Sequence, residues 1–344
     1  MPSETMSEIE GVDLGALSAW MDGEGLGEGP ITDTELLVGG TQNILLRFSR
    51  AGRAYVLRRP PVHKRGNSDE TMRREARVLG AIAGSGVPHP GLIAACPTED
   101  VLGAAFYLME PIDGVNPSED LPERYRTDQE WSTALGLSMA DGIAALSKVD
   151  IEARGLSDFG RSEGWLERQV PRWRKQLDSY SALPNYPGPS IPYVDEVADW
   201  LDKHRPEKAQ LGLVHGDVHF ANVLVSRDAP ELVAFVDWEL ATVGDPLLDL
   251  GHMLSVWPGR PATVARVEIP GLPSQDAIIS RYAEKSGRDV SDVDWFLVLA
   301  CYRLGIILEG SWARYLAGQA TEEVGERLGR IARELFGQAH EITG

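Results

Sequence analysis

Within Leu213 to Glu239, LVHGDVHFANVLVSRDAPELVAFVDWE, one polar loop between apolar runs carries His215, Asp217, His219 and Asn222, and a later apolar run ends at Asp237. Asp217-x-x-x-x-Asn222 is the spacing with which a phosphoryl-transfer loop sets an aspartate against an acceptor hydroxyl and an asparagine on a metal ion. Asp237 then stands where such a site puts its second metal-binding aspartate. Asn222 and Asp237 offer oxygen, the donor that Mg²⁺ takes in an octahedral shell completed by water and nucleotide phosphates. Asp217 would orient the acceptor and accept its proton as the bond to phosphorus forms. That leaves His215 as a hydrogen-bonding prop for the loop. Glu239 is placed to reach the metal directly, to reach it through water, or to stand behind it. The same loop reads His215-x-Asp217-x-His219, which on a strand would put alternate residues on one face as a hydrolytic metal cluster, although no further histidine-rich ligand motif follows.

Short strands and long helices must hold these groups. Glu35 to Val38, Ile44 to Phe48 and Tyr55 to Arg58 read as strands joined by Gly39-Gly40-Thr41-Gln42-Asn43 and Arg50-Ala51-Gly52. Glycines in the first turn let the backbone approach a phosphate, so Gly39, Gly40, Thr41 and Asn43 are candidate nucleotide contacts. A helix follows, capped near Asn67 and Glu70, with Met72, Ala76, Leu79 and Ala83 at helical spacing and Glu75 within it. Glu75 is the candidate partner of a cation on the third strand. Leu92 to Cys96 and Ala104 to Met109 complete a five-stranded antiparallel sheet. The sequence then breaks at Glu110-Pro111-Ile112-Asp113-Gly114, where the backbone of Glu110 and Ile112 could serve an adenine edge.

From Glu130 the pattern is helical: Trp131 to Lys148, Trp165 to Tyr180, Val194 to His204, Leu247 to Val256, Ser274 to Lys285, Ser291 to Ala317 and Glu322 to His340. Residues 1–30 read as a pendant helix and a flexible joint, residues 31–110 as a nucleotide-binding lobe, and residues 111–344 as a catalytic and substrate-binding lobe. The expected fold is α+β and bilobal: a small five-stranded antiparallel β lobe with one helix, then a larger, mainly helical C-terminal lobe.

Composition narrows the classes of partner. With 33 basic against 52 acidic residues, the net charge of −19 disfavours a nucleic-acid or anionic-membrane surface. Cys96 and Cys301 are the only cysteines and form no CxxC pair, so a reducing, cytoplasmic location is expected. The acidic N-terminus lacks the basic and apolar regions of a signal peptide. The apolar run Trp295 to Leu308 contains Arg303 and is too short to span a bilayer, so it reads as a buried core helix. Oligomeric state is not legible.

The chain resembles the aminoglycoside phosphotransferase family, a group of small-molecule kinases with a protein-kinase-like fold. The resemblance rests on His215-Gly216-Asp217-Val218-His219-Phe220-Ala221-Asn222, on Val236-Asp237-Trp238-Glu239 and on Gly244-Asp245-Pro246-Leu247-Leu248-Asp249. It covers the chain after about Asp33. Tyr55-Val-Leu-Arg-Arg-Pro-Pro and Tyr107-Leu-Met-Glu-Pro are most similar to the subgroup fused to some acyl-CoA dehydrogenases. The resemblance implies a nucleoside triphosphate, ATP or GTP, as cosubstrate with Mg²⁺, a hydroxyl or amine of a small molecule as acceptor, Asp217 as the catalytic residue, and Asn222 and Asp237 on the metal. It makes Asp249 a supporting residue that fixes the loop through backbone N–H groups. Asp245, before Pro246, reads from its position as a turn residue or a cap of the next helix.

One position departs from the kinase pattern. The strand that should present a lysine to the phosphates carries Arg58, followed by Arg59, and alternation along the strand would turn one of the two outward. Arginine stays charged and can fork onto phosphate or Glu75, but it does not replace an ammonium. The expectation is therefore a small-molecule kinase acting on a metabolite or an antibiotic, with a non-catalytic nucleotide sensor as the alternative.

Overall fold

β-branched and aromatic residues alternating between Thr32 and Met109 build an antiparallel sheet, seen in a computed structural model that describes residues 9–37, 43–64, 66–260, 262 and 268–344. Before it lies helix α1 (Leu14–Gly23), and its strands are β1 (Thr32–Leu36), β2 (Ile44–Arg50), β3 (Arg53–Arg59), β4 (Leu92–Cys96) and β5 (Phe106–Met109), ordered β1-β2-β3-β5-β4. Between β3 and β4 the chain forms α2 (Ser68–Ala81). The β2–β3 hairpin closes on Ala51 and Gly52, both at positive φ (49° and 75°), a turn that Gly52 makes without strain. These elements, with residues 236–239, form one of two compact units into which the chain divides.

Two expectations for this unit are corrected. Residues 1–30 were to be a pendant helix and a loose joint, yet among the described residues Leu17 and Met21 are fully buried and Trp20 meets Phe106 edge-on at 4.8 Å. The stretch after the helix is tied down too. Arg50, 1% exposed, donates to the Ser18 carbonyl at 3.1 Å and to the Gly29 carbonyl at 3.0 Å, and it pairs with Asp22. Tyr55 donates to the Leu26 carbonyl at 3.2 Å. A buried guanidinium needs such acceptors, and a glycine-rich strand of backbone supplies them. Likewise neither member of the arginine pair faces open water: Arg59 is 4% exposed, since a Cβ on Gly11 would lie 3.0 Å from its Nη1 and Pro60 accepts from its Nε at 3.0 Å.

The second unit comprises residues 85–87, 114–235 and 240–344. Its helices are α3 (Arg124–Thr127), α4 (Gln129–Ser147), α5 (Gln169–Ser179), α6 (Val194–Lys203), α7 (Leu247–Ser255), α8 (Gln275–Ser286), α9 (Val293–Leu316) and α10 (Glu322–Thr343). Two short ribbons accompany them: β6 (Gly212–Val214) with β9 (Thr242–Gly244), and β7 (Val223–Val225) with β8 (Leu232–Phe235). The four-residue α3 and three-residue β9 are too short to show a period in the sequence. The helix expected from Trp165 starts at Gln169, and Trp165 instead packs against Gly244, whose absent Cβ would sit 2.8 Å from the indole nitrogen.

α9 is long and apolar enough to cross a membrane, but 83% of its most apolar window is packed inside the protein, as a core helix. α7 lies against it closely, because a Cβ on Gly251 would come within 2.6 Å of the Phe296 backbone. The proline-rich stretch before α6 is also anchored. Buried Glu309 of α9 accepts from Tyr186 Oη at 2.8 Å, from the Ser190 N–H at 2.7 Å and from Ser190 Oγ at 2.8 Å. A carboxylate sealed in a core is tolerable only with acceptor sites filled in this way.

Candidate active site

The loop after β6 turns sharply at Gly216, whose φ is 87° and whose added Cβ would meet the Leu240 carbonyl oxygen at 2.7 Å. Only glycine fits there. Asp249 of α7 holds the turn: its carboxylate accepts from the His215 and Gly216 backbone N–H groups, both at 2.8 Å. His215 is fully buried, and its Nδ1 accepts from the Asp217 N–H at 3.3 Å. Asn222 Nδ2 donates to the Asp217 carbonyl at 3.0 Å and to the Asp217 carboxylate at 2.8 Å. With its amide nitrogen so engaged, the atom of Asn222 left to serve as a metal ligand is Oδ1. Asn116 closes the loop by donating to the Ala221 carbonyl at 2.7 Å. Asp245 accepts from the N–H groups of Leu247 at 3.1 Å and Gln210 at 2.7 Å, and so shapes the entry to α7.

Asp217, its side chain 27% exposed, is bracketed by two imidazoles. His252 Nε2 lies 3.0 Å from one carboxylate oxygen, off the line of an ideal hydrogen bond, and His219 Nε2 lies 3.5 Å from the other. Burial alone would raise the Asp217 carboxyl, but His219 and His252 outweigh it and hold the group well below the usual carboxylate range. Burial pushes His252 down, with Asp217 opposing. Burial also raises Asp249, to about 6, against the two backbone N–H groups that favour its charge. His252 was missed in the sequence. Its one signal is position: three residues after Asp249, it shares that residue's face of the helix.

The hydrolytic metal reading of His215, Asp217 and His219 does not fit. The atoms that converge within 4.8 Å belong to Asp217, His219 and His252, without His215. His219 Nδ1 accepts from the Ala221 N–H at 3.1 Å, so its Nε2 carries the proton and has no lone pair for a metal.

The other sequence-derived candidates lie in the sheet-bearing unit. Arg58, 7% exposed, sets Nε 2.8 Å from Glu75 Oε2 and Nη2 2.6 Å from Asp237 Oδ1. Tyr107 donates to Glu75 at 2.7 Å, which completes the surroundings of a carboxylate only 1% exposed. Burial raises the Glu75 carboxyl, with Arg58 pulling the other way. Asp237 has a φ of 64°, an unusual conformation for a residue with a side chain, and its carboxylate oxygens approach those of Glu75 and Glu239 within 4.8 Å. This donor set is all oxygen, as Mg²⁺ requires. Asn43 is half-buried, while Gly39, Gly40 and Thr41 lie outside the described residues. The Glu110 N–H is bonded to the Gly91 carbonyl at 2.8 Å, so any contribution of Glu110 to an adenine edge comes from its carbonyl; Ile112 follows in the unpaired stretch.

The structure thus gathers His215, Asp217, Asn222 and Asp249 around one loop, sets Glu75 and Asp237 on the Arg58 guanidinium, and brings Glu239 beside those two carboxylates. A five-stranded sheet with a helix-borne carboxylate on its third-strand cation, and a helical unit with an Asp–Asn loop, define the class of kinase-like phosphotransferases. A model of the phosphotransferase enzyme family matches residues 34–276, and the chain belongs to that family.

Its relatives include mouse acyl-CoA dehydrogenase family member 10, 29% identical over 307 residues and 86% of this chain, and orangutan (Pongo abelii) acyl-CoA dehydrogenase family member 11, 31% identical over 83% of it. The chain spans only 28% and 36% of those two proteins. Among solved structures, a protein of Ralstonia eutropha provisionally assigned as an aminoglycoside phosphotransferase superposes with a TM-score of 0.78 and 30% identity, covering 96% of this chain and 98% of that one. The aminoglycoside phosphotransferase APH(4)-Ia, in a complex with AMP-PNP and hygromycin B, shares the fold, with a TM-score of 0.59 and 14% identity over 93% of this chain and 98% of its own. The family match makes the protein a member of the phosphotransferase enzymes.

Proposed function

We propose that the enzyme moves the γ-phosphate of ATP or GTP to a hydroxyl, or an amine, of a small metabolite or antibiotic, with Mg²⁺ held by Asn222 and Asp237. The observation that carries this reading is the Asp217 carboxylate, aimed by Asn222 at 2.8 Å and His252 at 3.0 Å on a loop whose backbone is fixed by Asp249. Fold relatives solved with AMP-PNP or with ADP support a nucleotide as donor. Mg²⁺, when bound, neutralises charge on the transferring phosphate. Everything else is done by side chains. Arg58, steadied by Glu75, supplies a fixed positive charge for the nucleotide phosphates.

Asp217 orients the acceptor O–H. A carboxylate held this far down does not deprotonate an alcohol in the ground state, so it accepts the proton late, as the bond to phosphorus forms. A cytoplasmic location, where nucleoside triphosphate is available, is part of the same proposal.

The test is nucleotide consumption with Mg²⁺ across aminoglycosides, macrolides, choline-like alcohols, sugars and hydroxy acids, with Asp217→Asn as control. Turnover should fall by about 10²–10⁴-fold in the variant, the usual worth of a positioned acid–base group. Undiminished activity would remove Asp217 from the mechanism. Tight nucleotide binding without product from any acceptor would favour the sensor.

A further inference from the structure

Arg58 stands on β3 with its backbone paired to Leu45 of β2 on one side and Tyr107 of β5 on the other, a register that fixes where its side chain starts. Glu75 of α2 takes the guanidinium edge-on, with Nε 2.8 Å from Oε2 and Nη2 3.2 Å from Oε1. The same Nη2 reaches Asp237 Oδ1 at 2.6 Å. One nitrogen therefore serves a sealed carboxylate and the carboxylate assigned to the metal.

These two contacts are not equally free to break. Glu75 is 1% exposed and also accepts from Tyr107 at 2.7 Å, and taking the cation away from a carboxylate so buried is strongly disfavoured. The Asp237 side chain is 37% exposed, and a contact open to water on one side is exchanged at little cost. Glu75 is thus the permanent partner and Asp237 the exchangeable one.

A third carboxylate, that of exposed Glu239, joins them: one oxygen from each of the three residues falls within 4.8 Å of the others, a span that one divalent ion could bridge. The guanidinium already answers two of the three. A lysine at this position would end in one compact ammonium and could not fork across both. A dication drawing on the same oxygens would meet the guanidinium as a like charge at close range.

We propose that Arg58 is the resident counter-ion of Asp237 in the nucleotide-free enzyme, and that it withholds this carboxylate from a divalent cation until triphosphate oxygens take over the exchangeable Nη2 contact. The proposal rests on the reading of Asp237 as a metal ligand and of a triphosphate as donor. It deepens that reading, because metal and nucleotide then enter together and metal alone is kept out.

The test uses the full chain without nucleotide, Mn²⁺ as the probe, and paramagnetic resonance to count the unbound ion. Wild type should bind Mn²⁺ only weakly. Arg58→Lys, which keeps a charge for Glu75, should bind it about tenfold to a hundredfold more tightly, the worth of one hydrogen bond to a charged group. Arg58→Met should gain at least as much; should the sealed Glu75 then prevent folding, the lysine variant carries the test alone. Adding Asp237→Asn to Arg58→Lys should cancel the gain. Equal affinity in wild type and Arg58→Lys, or a gain that survives Asp237→Asn, would overturn the proposal.

A separate arm addresses the reading beneath it. With AMP-PNP present, water proton relaxation reports the Mn²⁺ held on the protein. Enhancement unchanged by Asp237→Asn would remove Asp237 from the loaded metal site and sink that reading. Enhancement lost in Asp237→Asn, with no gain in nucleotide-free Arg58→Lys, would leave the reading standing and sink the Arg58 proposal alone.

Discussion

Asp217 gains its character from a neighbour that local spacing did not announce. His252, 1% exposed, sets its Nε2 3.0 Å from one carboxylate oxygen, while Asn222 serves the other oxygen. Replacing His252 by leucine should lower kcat by about tenfold, the worth of one hydrogen bond to a charged group. In an Asp249→Asn background, which lacks the step near pH 6 argued below, the same change should move the remaining acid limb to higher pH as Asp217 recovers basicity. His252→Gln, which retains an N–H donor, should restore most of the rate. Equal rates in the two variants, with no displacement of that limb, would reduce His252 to a packing residue. Arg59 teaches the complementary lesson. Strand alternation assigned one of the arginine pair to solvent, but that rule presumes a bare outer face, and here residues near Gly11 cover it.

At the scale of elements, α7 is the part that converts packing into loop geometry. Its Asp249 carries two backbone N–H groups of the catalytic loop, and its ordinary value of 3.8 is raised by burial to about 6. The folded state therefore binds this proton more tightly than the unfolded chain does. The stabilisation from the neutral acid is fully present below the ordinary value and is lost as pH rises through about 6. Function runs the other way: a protonated carboxyl turns one acceptor oxygen into an O–H, and one of the two loop N–H groups loses its partner. We expect kcat to fall between pH 7 and 5 with a midpoint near 6, without unfolding, as followed by circular dichroism over the same range. In Asp249→Asn that step should be absent and kcat lower at every pH by about tenfold or more, for one lost buried acceptor. A wild-type profile flat through pH 6 would contradict this.

Elements such as α4, α9 and α10 were legible in the sequence because their apolar residues repeat over many turns; α3 and β9 were not, because they contain less than two periods of anything. The same limit divides the site. Asp217 and Asn222 could be read because a single loop sets their spacing, and Asp249 because its motif follows a fixed turn. His252 depends on how α7 is rotated, which no local pattern encodes.

For the molecule as a whole, the net charge of −19 sets a long-range field, while the groups that touch a ligand set its affinity. An ionic atmosphere at about 0.15 M mutes that field beyond about 8 Å. Capture of a cationic acceptor in stopped-flow measurements should therefore slow as salt is added, and capture of an anionic one should quicken; a rate indifferent to salt for both would mean that the distant carboxylates play no part in admission.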